Sequence, residues 1–142
     1  MKQLLSDNLR RLLRDIGLLV MRIWVGFVML WFHGKDKVFD FAERAESFPD
    51  PLGIGSSLSL ALAGGAEFLA SIFIIFGLFT RVMAIPLFIT LMVAAYSHAI
   101  AWQDPFGDYE LALFFATAYL MFMLTGPGRL SLDHLIRKKL EN

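Results

Sequence analysis

Four apolar stretches, each carrying or beginning on a stray ionisable residue, limit what this chain can fold into: roughly residues 16–32, 57–79, 82–102 and 110–125. A helix rises 1.5 Å per residue, so about 20 apolar residues cross the ~30 Å hydrocarbon core of a bilayer. The first and last stretches are short and must borrow length from their flanks. At 57% hydrophobic residues with a mean hydropathy of +0.61, the chain exceeds the ~45–50% apolar content usual for soluble domains. The expectation is an all-α fold: a transmembrane four-helix bundle forming one membrane domain over residues 1–142. No room is left for a second, soluble domain.

The 13 basic and 13 acidic residues cancel, which gives no hint of nucleic acid. Their placement carries topology instead. Lys2, Arg10, Arg11, Arg14, Arg81, Arg129, Arg137, Lys138 and Lys139 fall at one end of the expected bundle, against Lys35, Lys37 and Arg44 at the other. Positive charge collects on the cytoplasmic side, so a multi-pass protein of the inner (plasma) membrane with both termini cytoplasmic is expected. The basic start followed by an apolar run invites a signal-peptide reading. Arg22 interrupts that run and Phe32-His33-Gly34-Lys35 offers no small-residue cleavage site, so the first span is expected to be retained.

Residues 4–16 alternate Leu4, Leu5, Leu9, Leu12, Leu13 and Ile16 against Arg10, Arg11 and Arg14, the pattern of an amphipathic helix lying in the interface plane. A solvated basic lead-in explains it equally well. Lys37–Phe48 reads as a second short amphipathic helix, broken by Pro49, Pro51, Gly53 and Gly55, with Ser56 or Ser57 capping the next span. The outer loop is expected to rest on the bundle mouth like a lid. Gly77-Leu78-Phe79-Thr80-Arg81 is so tight a link that spans two and three must be antiparallel neighbours. Gly126-Pro127-Gly128 stops the fourth span, and Ser131 is placed to cap a basic amphipathic tail.

Glu67 is the most informative ionisable residue. A charge at membrane depth costs roughly 2.5–3.5 kcal/mol on insertion scales. Its helical neighbours Ala63, Gly64, Ala70 and Ser71 are all small, the residues that let helix backbones approach closely in lipid. Glu67 is therefore expected to face the bundle interior. Arg22, about 9 Å deep against roughly 18 Å for Glu67 at 1.5 Å per residue, is its expected ion-pair partner. Registry of the helices alone is an equally weighted reading of that pair. His33, Lys35, Lys37, His98 and Glu110 are expected near the outer face, where they would line a polar vestibule ending at Glu67; simple wetting of helix ends by head-group water is the plainer account. Trp31 and Trp102 read as interface anchors. There is no cysteine, and hence no disulfide, thiolate nucleophile or self-held iron–sulfur cluster. No phosphate-cradling glycine loop, HExxH motif or other metal-site pattern is present, and no self-contained catalytic motif.

Arg22-x3-Gly26, His33-Gly34-x2-Lys37, Glu67 in a small-residue span, Gly77-Leu78-Phe79-Thr80-Arg81, Glu110 and Gly126-Pro127-Gly128-Arg129-Leu130-Ser131-Leu132-Asp133 together resemble the DoxX family of small membrane proteins. The likeness runs from about Ile16 to Asp133. It implies a four-helix membrane bundle with both ends cytoplasmic. Some members of that family are subunits of a thiosulfate:quinone oxidoreductase, and others accompany membrane complexes that handle oxidative or thiol stress. The implied role is a subunit or accessory of a membrane redox complex that binds a quinone or small oxyanion in an outward-facing polar pocket. Arg22, His33, Lys37, Glu67, His98 and Glu110 are the candidate substrate-binding or proton-relay residues. Any redox role needs a quinone or a partner subunit, since the chain has no cofactor motif of its own. Two alternatives come from other classes: an oligomeric small-molecule or proton-coupled permease, and a non-catalytic membrane scaffold subunit.

Overall fold

A computed structural model describes residues 7–141. Among these there is no strand, and the helices run in the order α1 (Asp7–Phe39), α2 (Phe41–Arg44), α3 (Ser56–Phe76), α4 (Thr80–Ala101), α5 (Glu110–Thr125) and α6 (Leu132–Leu140). Helices α1, α3 and α4 are long and apolar enough to cross a membrane, while the apolar α5 has 16 residues. The four long helices alternate in direction. One end of the bundle gathers the α3–α4 turn and the segments nearest both termini (the terminal end). The other gathers the α1–α3 and α4–α5 loops (the loop end).

The first span is longer than hydropathy alone suggests. No break separates the amphipathic lead from the apolar run, and the helix continues past Gly34 to Phe39, 33 residues in all. At 1.5 Å per residue that is about 50 Å, more than a bilayer core requires. The expected interfacial helix is thus, over its described part, the first turns of α1; residues 4–6 of the expected segment lie outside the described residues. The expected helix over Lys37–Phe48 is likewise divided, its first residues belonging to α1, Phe41–Arg44 forming the short α2, and residues 45–48 turning out of it.

Packing of α1 on α3 depends on small residues. A Cβ at Gly34 would lie 2.6 Å from the Glu67 carbonyl carbon and 2.6 Å from the Phe68 nitrogen, so the two backbones touch there. Ser71 and Ile75 meet α1 in the same way at Gly26. Core side chains include Val25, Met29, Ile74, Leu87, Phe115 and Phe122. Trp24, Phe76, Phe114 and Leu124 point outward, 59–72% exposed. An apolar exterior around a tightly packed interior is what lipid contact demands.

At the terminal end, Gly77 adopts φ 68°, the left-handed region that ends helices economically. The space where its Cβ would stand is taken by the guanidinium of Arg22. The backbone N–H groups of Phe79 and Thr80, which open α4, donate to the Asp133 carboxylate at 2.8 and 3.2 Å. Asp133 N donates in turn to Gly77 O at 3.0 Å. Ser131 caps α6 as its position suggested, accepting from His134 N at 3.3 Å. Three segments that carry the family resemblance therefore meet at one place: Arg22, the Gly77–Arg81 turn and the Gly128–Asp133 turn.

Candidate functional site

Three helices depart from α-geometry, and each departure holds one of the candidate ionisable residues. The π-helical stretches are Met29–Gly34 with His33, Gly65–Ala70 with Glu67, and Ser97–Ala101 with His98. A π-turn widens the helix to i→i+5 hydrogen bonds and swings the following side chains round the axis; such turns often mark functional sites. Here they reset which residues face the interior.

Glu67 faces the bundle as expected, with only 6% of its surface exposed. Its partner differs from the expected one. The Glu67 carboxylate pairs with the Lys37 ammonium, whose remaining donor capacity includes the His33 carbonyl at 3.2 Å. Arg22, fully buried, donates instead to the Leu130 carbonyl at the terminal end. The cause lies in helix geometry. Every Cα–Cβ bond tilts toward the N-terminus of its own helix. In antiparallel α1 and α3, Arg22 therefore leans toward the terminal end while Glu67 leans toward the loop end. Lys37, above Glu67 on α1, leans back down onto it.

Lys37, Glu67 and His98 line one cavity of about 310 Å³ at the loop end. Most of its wall is apolar: Leu62 and Ala63 from α3, Ile89 and Val93 from α4, and the loop residues Phe48 and Leu52. The expected lid is therefore present as a wall of the cavity. Asp50 holds that loop in shape, accepting from Ile54 N at 3.0 Å, Gly55 N at 2.7 Å and the Ser59 hydroxyl at 2.8 Å. Those bonds, the Ser59 hydroxyl first, hold the Asp50 carboxyl below the ordinary 3.8. Gly55, not a serine, occupies the N-cap of α3, and no side chain accepts from the first turn of that helix.

His98 is half-buried, its Nδ1 2.8 Å from Asp104 Oδ2 and its ring edge-on to Trp102 at 4.7 Å. Asp104 fixes that ring and was not singled out from the sequence; a carboxylate six residues past a histidine, just before the Pro105–Gly107 turn, was the available signal. His33 turns its ring to Phe115, 6.0 Å between centroids, and does not line the cavity. Lys35 lies over the Trp31 ring at 4.8 Å. Glu110 is exposed at the start of α5 and outside the cavity. The expected vestibule thus contracts to Lys37, Glu67 and His98; Arg22, His33, Lys35 and Glu110 take no part in its wall. Arg22 lies too deep toward the other end, and Glu110 is exposed at the first residue of its helix. Below Glu67, the buried hydroxyls of Ser71 and Tyr119 extend the polar groups toward the bundle centre.

Chemically, the cavity offers a neutralised ion pair, a histidine–aspartate dyad and an aromatic and aliphatic lining. It suits a small, mostly apolar molecule with one or two hydrogen-bonding atoms. Volumes from about 300 Å³ upward, few polar groups and an apolar wall are the usual marks of a small-molecule site.

Residues 17–99 match the sequence model of the DoxX family. Two proteins of Haemophilus influenzae, both described as uncharacterized, are similar to the chain. One is 37% identical over 101 residues, 69% of this chain and 67% of its own length. The other is 31% identical over 131 residues, 89% of this chain and 95% of its own length. No solved structure matches.

Proposed function

This chain belongs to the DoxX family, and on that premise we propose that it serves a membrane redox complex as a subunit or accessory, holding a quinone head group in the loop-end cavity. The observation that carries this reading is the apolar cavity of about 310 Å³ that meets Lys37, Glu67 and His98. A quinone presents two carbonyl acceptors on a flat apolar ring. The Lys37 ammonium and the His98 imidazole are donors suited to such carbonyls, and Phe48 and Trp102 supply flat apolar faces. The small-oxyanion reading gains less support, because the cation nearest the cavity is already answered by Glu67. Glu67, Ser71 and Tyr119 form the polar line along which a proton would accompany reduction of the bound ring.

The orientation that goes with this reading puts both termini in the cytoplasm of an inner-membrane protein. Its support is eight basic residues near the terminal end against three near the loop end, among the described residues. The cavity then opens toward the outer face. Protein extracted in mild detergent is expected to carry quinone, detected by chromatography and mass spectrometry of the organic extract. Ala63→Phe, which fills the cavity, is expected to empty it of quinone. Quinone-free wild-type protein, together with unchanged quinone-linked activity of host membranes bearing Glu67→Gln, would remove the proposal.

A scaffold role is the second reading, favoured by a separate observation. The Lys37–Glu67 pair closes directly over the Gly34 contact where α1 and α3 touch, so the pair has a registry role whether or not a ligand binds. Normal complex activity after replacing both residues together by apolar ones would decide for this reading.

A further inference from the structure

A second cavity, of about 470 Å³, lies at the terminal end, far from Glu67. Four arginines line it: Arg14, Arg81, Arg129 and Arg137. Asp133 is the acidic residue in its wall, and both Asp133 oxygens already accept the backbone N–H groups of Phe79 and Thr80. Buried Asp15, behind the wall, lies 3.3 Å from Arg14 and 4.0 Å from Arg129 and offsets part of their charge. Neither Arg81 nor Arg137 takes part in an ion pair among the described residues. Arg81 is nonetheless held in place, its guanidinium laid over Gly126 and donating to the Leu124 carbonyl at 3.4 Å.

The cavity therefore has a surplus of positive charge built from planar guanidinium groups, the side chains that match phosphate oxygens two at a time. Its rim is apolar. Phe79 and Val82 line it and are 58% and 57% exposed, facing outward from a bundle whose exterior is lipid-facing. Charge for a head group and apolar surface for chains stand side by side at one helix end.

We infer that this cavity binds the phosphate of an acidic phospholipid, with Arg81 and Arg137 on the phosphate and the acyl chains along Phe79 and Val82. A soluble phosphate has the same anionic chemistry and gains nothing from the apolar rim. Basic pockets between membrane helices are known to take such head groups. The inference is independent of what the loop-end cavity holds.

The test uses the full chain in mixed micelles of phosphatidylglycerol and phosphatidylcholine, with bound lipid counted by native mass spectrometry. Retention of phosphatidylglycerol over phosphatidylcholine is expected. Each of Arg81→Gln and Arg137→Gln should lower that retention about fivefold, the effect of roughly one surface arginine near an anionic lipid. Arg44→Gln, at the loop end, should leave it unchanged. Arg137 is exposed on α6, so its single variant keeps the test open if Arg81→Gln fails to fold. Equal retention of the two lipids by the wild type, or unaltered retention in Arg137→Gln, overturns the inference. Displacement of the lipid by millimolar inorganic phosphate also overturns it, by giving the cavity to a soluble anion.

Discussion

At the loop end, Lys37 and Glu67 cancel one another beside a cavity whose walls are otherwise mostly apolar; at the terminal end, four arginines face an aspartate whose oxygens already hold backbone N–H groups. The helices differ in the same sense. Toward the loop end three of them open into π-turns, whereas at the terminal end tight left-handed turns at Gly77 and Gly128 are tied down by Asp133 and by Asp15. A buried pair is costly to split and nearly free to replace as a unit. A surface surplus is cheap to alter residue by residue but answers to charged ligands. The two ends should therefore respond to mutation in opposite ways.

Splitting the pair gives the largest effect. Glu67→Leu strands the Lys37 ammonium in a largely buried setting and should cost about 3–5 kcal/mol, read as a lowered unfolding midpoint in detergent. Lys37→Met combined with Glu67→Leu should recover most of that loss, because the apolar pair leaves no charge behind. By contrast, Arg81→Gln or Arg137→Gln at the other end should stay within about 0.5 kcal/mol of wild type. A double variant as unstable as the single one would erase the contrast between the ends. Next in size is Gly77→Ala. It forces an alanine into a positive-φ position and a methyl group onto Arg22, at roughly 1–2 kcal/mol for the backbone and 1–3 kcal/mol for the overpacking. Gly53→Ala, also at positive φ but with open space around it, should lose only the backbone part.

Hydropathy made three of the membrane helices legible to within a few residues: the expected 110–125 is α5 itself, and 57–79 differs from Ser56–Phe76 mainly where the turn at Gly77 begins, whereas the expected 16–32 is only the middle of Asp7–Phe39. The buried orientation of Glu67 was equally plain from its small neighbours. Its partner was not, because a helical wheel gives the angle of a side chain and omits its lean along the axis. Applying that lean to antiparallel α1 and α3 separates Arg22 from Glu67 and brings Lys37 to it. Lys37 stands past the expected end of the first span at residue 32, yet α1 runs on through Gly34 to Phe39. The π-turns leave no mark in composition or spacing, since they arise from a choice between i→i+4 and i→i+5 hydrogen bonds that tertiary packing makes. Asp133 belonged to a quoted motif, but its partner Phe79 is 54 positions away, and no local pattern links them. The DoxX resemblance, by comparison, was carried by short segments whose order along the chain is visible without any structure.

Asp133→Ala should cost about 1–2 kcal/mol, the usual loss on removing a helix-capping side chain, here a cap supplied from a distant segment. The loss should show first as faster hydrogen exchange at Phe79 and Thr80, with the loop end unaffected.

The smallest effect belongs to the lid and depends on pH. Asp50 has its folded pKa below the ordinary value, held there first by the Ser59 hydroxyl and then by the Gly55 N–H. A depressed carboxyl contributes stability that is fully present above the unfolded value of about 3.8 and is lost as pH falls through the lower folded value. Acidification through that window should loosen the 48–55 loop over the cavity while the turns around Gly77 hold. Hydrogen exchange corrected for intrinsic rates reads this directly at Ile54 and Gly55, the two amides that donate to Asp50. Asp50→Asn should remove the acid-dependent change and leave both amides partly protected at every pH, because an amide oxygen still accepts but no longer titrates. Acid opening that persists in Asp50→Asn would take the sensitivity away from this carboxylate, and the lid would then not answer to its own loop.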